Sequence, residues 1–328
     1  MRGLIFSILM IPIIPFWILG VAIYTWRVRR IVIPQNISGT AAEPYGARLL
    51  LHIAGTRIDN AAYKIAEHMI LYAQPVRFLM LQAVWLALKI SGYKGFFFAY
   101  PGPRPSTMMT MMSHRSHFFD QSIQDVLTRE HNPATQIVVL GAGFDTRCYN
   151  LPEGKDIKCF EVDMAPTLNV KKQAIEKAGI PHDHVTFVET DFNQESWMDA
   201  LLTSGFDPNK TTYILWEGVT MYLTDEAVNS TLALFSTLPQ GSVIGADFFT
   251  EDIVKGNPPL EKISKTIHTQ IKYYSENFQF GIPTGETLSE GLEEYLSESE
   301  LKLARFEHVG STEDKKPPWY FFAHIEKH

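Results

Sequence analysis

Residues 4–26 form a run of 23 positions without a charged side chain. As a helix rising 1.5 Å per residue, the run would be about 34 Å long, enough to cross a hydrocarbon core about 30 Å thick. Arg2 precedes it, and Arg27, Arg29 and Arg30 follow it. The heavier positive charge downstream predicts a single-pass membrane anchor with its C-terminal side in the cytoplasm. Pro12 and Pro15 kink such a helix without forbidding it. The run is long for a signal peptide, its start is weakly basic, and no small-x-small cleavage site precedes Trp26. Residues 31–106 then read as helical. Within them, 41–70 have helix-forming composition with mixed charge, and 76–90 are strongly apolar with Arg77 and Lys89 at the ends. That second run is too short to span a bilayer. It reads either as a buried helix or as one that dips into the membrane through a face of Phe78, Leu81, Trp85 and Leu88. The breaker cluster 101–106, PGPRPS, marks a boundary.

Beyond that boundary the pattern changes. Four methionines within 108–112 are adaptable apolar filler, fit for core packing or for the wall of an apolar substrate site. Residues 114–129 predict a helix whose buried face holds Phe118, Phe119, Ile123, Val126 and Leu127. Strand-like runs follow at 137–140, up to Asp163, at 184–192, 211–219 and 242–248. Helices are expected between them at 166–178, 195–202 and 225–238, the last capped by Thr224. The tail offers a helix at 288–296 and two more strands at 301–309 and 319–325. This alternation predicts an α/β fold, a doubly wound seven-stranded sheet closed by a hairpin. The chain divides into an anchor (1–30), a helical cap (31–106) that the dipping reading of 76–90 would turn toward the membrane, and the sheet domain (107–328).

Composition narrows the partners. The 328 residues are 45% hydrophobic and 20% charged, with a net charge of −7 and no basic block in the soluble part, so nucleic acid is not an expected partner. Cys148 and Cys159 are the only cysteines, which points to a reducing compartment. No Cys/His cluster has metal-ligand spacing, so no metal is expected.

The candidate chemistry sits in residues 136–163, QIVVLGAGFDTRCYNLPEGKDIKCFEVD. A buried strand, the turn Gly141-Ala142-Gly143 and a second strand ending in an acid are the parts of a nucleotide-binding βαβ unit. The glycines permit a sharp turn and close approach of a ligand. Asp163, at the tip of the neighbouring strand, can accept both hydroxyls of a ribose. The full dinucleotide fingerprint is missing, because Thr146 stands where its third glycine belongs. Asp145 also puts a negative charge where a pyrophosphate would sit, which argues against NAD or FAD. A ligand with a ribose, a positive centre and no phosphate fits better, and S-adenosylmethionine is such a ligand. Asp163, Asp191 and Glu217 fall at successive strand ends and would line one crevice, where carboxylates accept from ribose and favour a sulfonium.

Five motifs then occur in order: HRSHFFD at 114–120, VVLGAGFDTR at 138–147, FEVD at 160–163, TDF at 190–192 and WEGVTMYL at 216–223. With them the chain resembles the leucine carboxyl methyltransferase family, including its small-molecule O-methyltransferase branch, over about residues 105–250. The resemblance implies a Rossmann-like class I domain that uses S-adenosylmethionine. It implies that Arg115 holds the methionine carboxylate of the cofactor, through the two-pronged grip of a guanidinium. Gly141, with Gly143 in the same turn, matches the glycine under the cofactor. Asp163 matches the ribose ligand, Asp191 and Phe192 the pair beside the adenine, and Glu217 a further contact. Asp145, Thr146 and Arg147 shape the turn. The branch acting on a protein C-terminus has a further basic residue upstream, for which Arg57 and Lys64 are candidates. His114, His117 and Tyr222 lie in or beside the motifs, but no catalytic base is assigned. The expected function is a membrane-anchored O-methyltransferase for a carboxylate or hydroxyl of an apolar small molecule delivered from the bilayer. The rival is an inactive methyltransferase-like membrane scaffold, which the intact acids and Arg115 disfavour.

Overall fold

The computed structural model describes residues 1–102, 107–192, 196–274, 276–297, 299–311 and 316–327. Seven strands form one sheet: β1 Gln136–Leu140, β2 Lys158–Asp163, β3 Val185–Glu189, β4 Thr212–Trp216, β5 Val243–Phe249, β6 Leu301–Ser311 and β7 Lys316–Lys327. Their order is β3-β2-β1-β4-β5-β7-β6. The first five are parallel, and β7 inserts antiparallel between β5 and β6. β1, β4 and β5 are buried at every position. Such continuous apolar runs are what a parallel sheet covered on both faces requires. The predicted doubly wound sheet with its terminal hairpin is therefore observed, and it places the carboxyl ends of β1, β2, β3 and β4 along one edge.

The helices are α1 Arg2–Arg27, α2 Ala42–Ala54, α3 Asn60–Ile65, α4 Ala83–Ser91, α5 Met111–Thr128, α6 Ala165–Lys177, α7 Trp197–Thr203, α8 Asp225–Ser236, α9 Glu251–Lys255, α10 Glu261–Tyr273 and α11 Leu288–Leu296. One face of the sheet packs on α5, α6, α9 and α10, through residues such as Phe118, Leu168, Ile253 and Ile267. The other packs on α7, α8 and α11, through Trp197, Leu232 and Leu292. The buried face expected for α5 is the one observed, since all five of its predicted residues are buried. Thr224 accepts from the Ala227 amide and caps α8, as its position predicts. The helices α9 and α10 have no counterpart in the sequence reading. Of the boundary cluster 101–106, residues 103–106 lie outside the described residues. So does Glu195, at the start of the helix expected over 195–202.

The cap departs from expectation at 76–90. The backbone is π-helical over Arg77–Gln82 before it becomes α4. Its wider turn shifts the phase of the side chains. Leu81 and Leu88 face the interior, whereas Phe78 and Trp85 face outward, so the single face predicted for these four does not form. Arg77 is buried, pairs with Glu67 and lies over the Tyr63 ring. Residues Arg2–Gln35 form one continuous helical stretch, long and apolar enough to cross a membrane.

Candidate functional site

A cavity of about 910 Å³ opens at the carboxyl edge of the sheet. Gly141, Gly143, Asp163, Phe192, Arg115 and Glu217 all line it; Asp191 does not. The cap closes it from above through Ser38, Thr40 and the start of α2. Met108, Met111 and Met112 form part of its wall. Met108 and Met111 also pack on the core, so they both fill the interior and face the cavity.

The glycine turn is held by the sheet. The amides of Gly141 and Ala142 both donate to the Val162 carbonyl, at 2.9 and 3.0 Å. Gly141 and Gly143 have φ of +68° and +44°. A Cβ on Gly141 would stand 2.4 Å from Val219 Cγ2, and one on Gly143 would stand 2.8 Å from the Ala41 Cβ. The space saved by each glycine is thus filled by a side chain that lines the cavity. Asp163 ties the turn to β2, accepting from the Gly143 amide at 2.6 Å and the Met164 amide at 2.7 Å. Burial raises its pKa, and those two amides work against the rise.

Asp145 does not line the cavity. Its carboxylate is paired with Arg48 at 2.6 Å and Arg147 at 2.5 Å, so the charge that the sequence sets against a pyrophosphate is already balanced. Burial would raise its pKa, but Arg147 and Arg48 outweigh that and hold it well below the usual carboxylate range. Arg147 continues to Asp120 at 2.7 Å and to Glu217 at 2.5 Å. Asp120 also receives Arg57 at 2.6 Å and the Tyr100 hydroxyl at 2.7 Å. Arg57 is further committed to Asp59 at 2.7 Å. Neither it nor Lys64, which is exposed on α3, reaches the cavity. Among the described residues Arg115 is the only lysine or arginine in the lining.

Arg115 is buried. Its Nε donates to Glu217 at 2.7 Å and its Nη1 to the Tyr320 hydroxyl at 2.9 Å, with Asp247 at 3.5 Å. Asp247 accepts from the Gly218 amide at 2.7 Å and from the Tyr320 hydroxyl. Burial pushes the Asp247 carboxyl up to about 6, despite the pull of Arg115. Glu217 goes the other way, since Arg147 and Arg115 outweigh its burial and lower its pKa. Sequence reasoning missed Asp247 and Tyr320. An acid inside the apolar strand VIGADFF was a readable signal for the first; nothing local marks the second. It also missed Glu276, whose two carboxylate oxygens both lie 3.0 Å from the Thr40 hydroxyl across the cavity mouth. Burial pushes Glu276 up to about 7. Of the three residues that could serve as a base, Tyr222 lines the cavity, while His114 and His117 do not. His117 lies edge-on to Tyr100.

The glycine turn, Asp163, Phe192, Arg115 and Glu217 thus share one cavity at the carboxyl ends of the strands. Residues 97–236 match the leucine carboxyl methyltransferase family. YktD of Bacillus subtilis (strain 168), named as an inferred S-adenosyl-L-methionine-dependent methyltransferase, is 39% identical over 123 residues, covering 37% of this chain and 40% of that protein. A protein of Mycolicibacterium gilvum (strain PYR-GCK) with the same kind of name is 33% identical over 149 residues, covering 45% and 46%. The chain thus matches less than half the length of these relatives. A solved structure of a DUF574 family protein from Streptomyces avermitilis MA-4680 aligns over 86% of this chain and 97% of that one, at 15% identity and a TM-score of 0.46.

Proposed function

We propose that this chain is a membrane-attached, S-adenosylmethionine-dependent O-methyltransferase acting on an apolar small molecule. The observation that carries the reading is the convergence of Arg115, Gly141, Gly143, Asp163, Phe192 and Glu217 on one cavity under the cap. In this reading Asp163 accepts from the ribose, Phe192 flanks the adenine, and Arg115 with its partners marks the methionine end. S-adenosylmethionine would supply an electrophilic sulfonium methyl. The protein's work is to position the acceptor oxygen in line and keep water out. The methionine wall and the closing segment around Thr40 suit that task.

Of the two acceptor classes, the lining favours a hydroxyl. A carboxylate acceptor calls for a cation, and Arg115 already donates to Glu217 and Tyr320. A hydroxyl must instead give up its proton as its oxygen is methylated. Glu276, pushed up to about 7, is matched to take it near neutral pH. The anchor in this reading is α1, with the sheet domain on the cytoplasmic side.

Calorimetry of the full chain in detergent tests the cofactor. S-adenosylmethionine should bind, and Asp163→Ala should weaken it by about 1.5–3 kcal/mol, the scale of hydrogen bonds to a charged group. A wild-type chain that takes no S-adenosylmethionine refutes the function. Incubation with methyl-labelled cofactor and membrane-lipid extract tests the acceptor. An ether keeps its label in alkali, whereas an ester releases labelled methanol and would overturn the hydroxyl assignment.

A further inference from the structure

Helix α1 does not stand away from the body. Near its start Phe6 stacks on Tyr93, with ring centroids 5.2 Å apart, and meets Phe98 edge-on at 5.6 Å. In its second half Gly20 is backed by the Met80 and Leu79 side chains, which an added Cβ would approach to 2.6 and 3.0 Å. At its end Arg27 donates to the carbonyls of Ile70 at 2.9 Å and of Ala73 and Gln74 at 2.7 Å. α1 therefore runs antiparallel to the helical stretch 77–91 over nearly its whole length. The segments that its two ends contact lead within a few residues to charged groups of the body. At the Phe6 end, Tyr100 leads to Asp120 and its arginines. At the other end, Tyr273 donates to the Thr25 carbonyl, and its neighbour Tyr274 donates to Glu43 at the cavity rim. A helix that crossed a bilayer would carry one of these charged regions to the far side.

The outward surface of the pair is apolar. Ile11 is 67% exposed, Phe78 59% and Ile90 61%, with Ile8, Ile18 and Trp85 between them. Phe96 and Phe97 extend the patch. Its rim carries exposed Arg2, Arg29, Arg30, Lys89 and Lys94. No acid precedes Glu43, and none occurs between Glu67 and Asp120. An apolar layer with cations at both ends is complementary to a bilayer with anionic headgroups.

We propose that α1 and the 77–91 helix lie together in the plane of an anionic bilayer, sunk into one leaflet, so that the protein is monotopic and does not cross. The proposal rests on the membrane attachment argued above and is independent of methyl transfer. Ile33 and Ile37, just beyond α1, line the cavity, which therefore opens beside the embedded layer where an apolar acceptor would arrive.

The test uses the full chain with one added cysteine, Leu4→Cys, Ile11→Cys or Ile18→Cys; the natural Cys148 and Cys159 are buried. Each variant is labelled with a fluorophore and bound to vesicles of phosphatidylcholine and phosphatidylglycerol that carry quenchers at set depths. All three probes should report one shallow depth. Deep Ile11 and Ile18 probes with a shallow Leu4 probe mean a spanning helix and overturn the proposal. Failure to bind vesicles, with the chain dimeric in buffer, means that a second copy covers the face and also overturns it. The triple variant Phe78→Ser, Trp85→Ser, Ile90→Ser should lower vesicle partition on the order of a hundredfold, since each lost side chain carries a large apolar area. Unchanged partition would show that the 77–91 helix is not embedded. A uniform shallow depth in a chain that binds no cofactor would uphold the monotopic placement while the enzymatic reading fails.

Discussion

Replacing Gly141 by alanine isolates the turn on which the cavity is built. Two costs can be read from the geometry. At φ +68° an L-residue enters the left-handed region, at about 1–2 kcal/mol. The new Cβ would also stand 2.4 Å from Val219 Cγ2, against an ordinary carbon contact of about 3.5–4.0 Å. Valine is stiff about χ1 and cannot simply swing aside, so the overpacking adds about 1–3 kcal/mol. Gly141→Ala should therefore destabilise the protein by about 2–5 kcal/mol in urea unfolding followed by tryptophan fluorescence. Part of this should be recoverable. With Val219→Ala the nearest atom of that side chain is its Cβ, at 3.5 Å, which is an ordinary contact. The double variant should regain about 1–3 kcal/mol as a coupling energy and leave only the backbone strain. Cofactor affinity should follow the same order, because both side chains border the cavity. A coupling below about 0.5 kcal/mol would mean that Val219 does not fill the space beside Gly141 and that the turn is built differently.

Two further outcomes follow from the charged cluster. Arg115→Lys keeps the charge but cannot serve Glu217, Tyr320 and Asp247 at once; it should cost about 1–3 kcal/mol of stability and weaken S-adenosylmethionine binding. A lysine variant that unfolds and binds like wild type would refute that arrangement. Asp247, held at about 6 in the folded protein against about 3.9 unfolded, binds its proton more tightly when folded. Wild type should therefore lose stability as pH rises through that window, and the loss is complete above the folded value. Asp247→Asn removes this titration and should gain about 3 kcal/mol relative to wild type between about pH 4 and pH 7. Parallel stability–pH curves for the two proteins would exclude the raised pKa.

Local pattern carried the fold but not the charge network. The strands were legible because a parallel sheet needs short apolar runs, and α5 because its buried residues recur at helical spacing. The face of 76–90 was misread because a π-helical turn breaks that spacing, and no residue type announces such a turn. The ion pairs escaped for a different reason. Arg115 and Tyr320 are 205 positions apart, and Arg48 and Asp145 are 97 apart. Only the closing of the sheet and the cap brings them together. Sequence could show that Arg57 is basic and upstream, but not that Asp59 and Asp120 already claim it.

The case against a pyrophosphate ligand changes its footing in the same way. Asp145 cannot carry it, because Arg48 and Arg147 neutralise that carboxylate. The case passes to the cavity itself. Among the described residues its lining holds Glu43, Asp163, Glu217 and Glu276 against the single guanidinium of Arg115. The cluster behind it is also short of cations, with Arg48, Arg57, Arg115 and Arg147 facing Asp59, Asp120, Asp145, Glu217 and Asp247. Four groups relieve the excess by holding protons more tightly, namely Glu43, Asp163, Asp247 and Glu276. Neutralisation is what a buried site does when its charges are not paired. A ligand carrying two phosphate charges would add to the surplus, whereas a sulfonium supplies the missing positive charge. The electrostatics of the whole pocket, more than any one residue of the glycine turn, therefore set the kind of nucleoside it can hold.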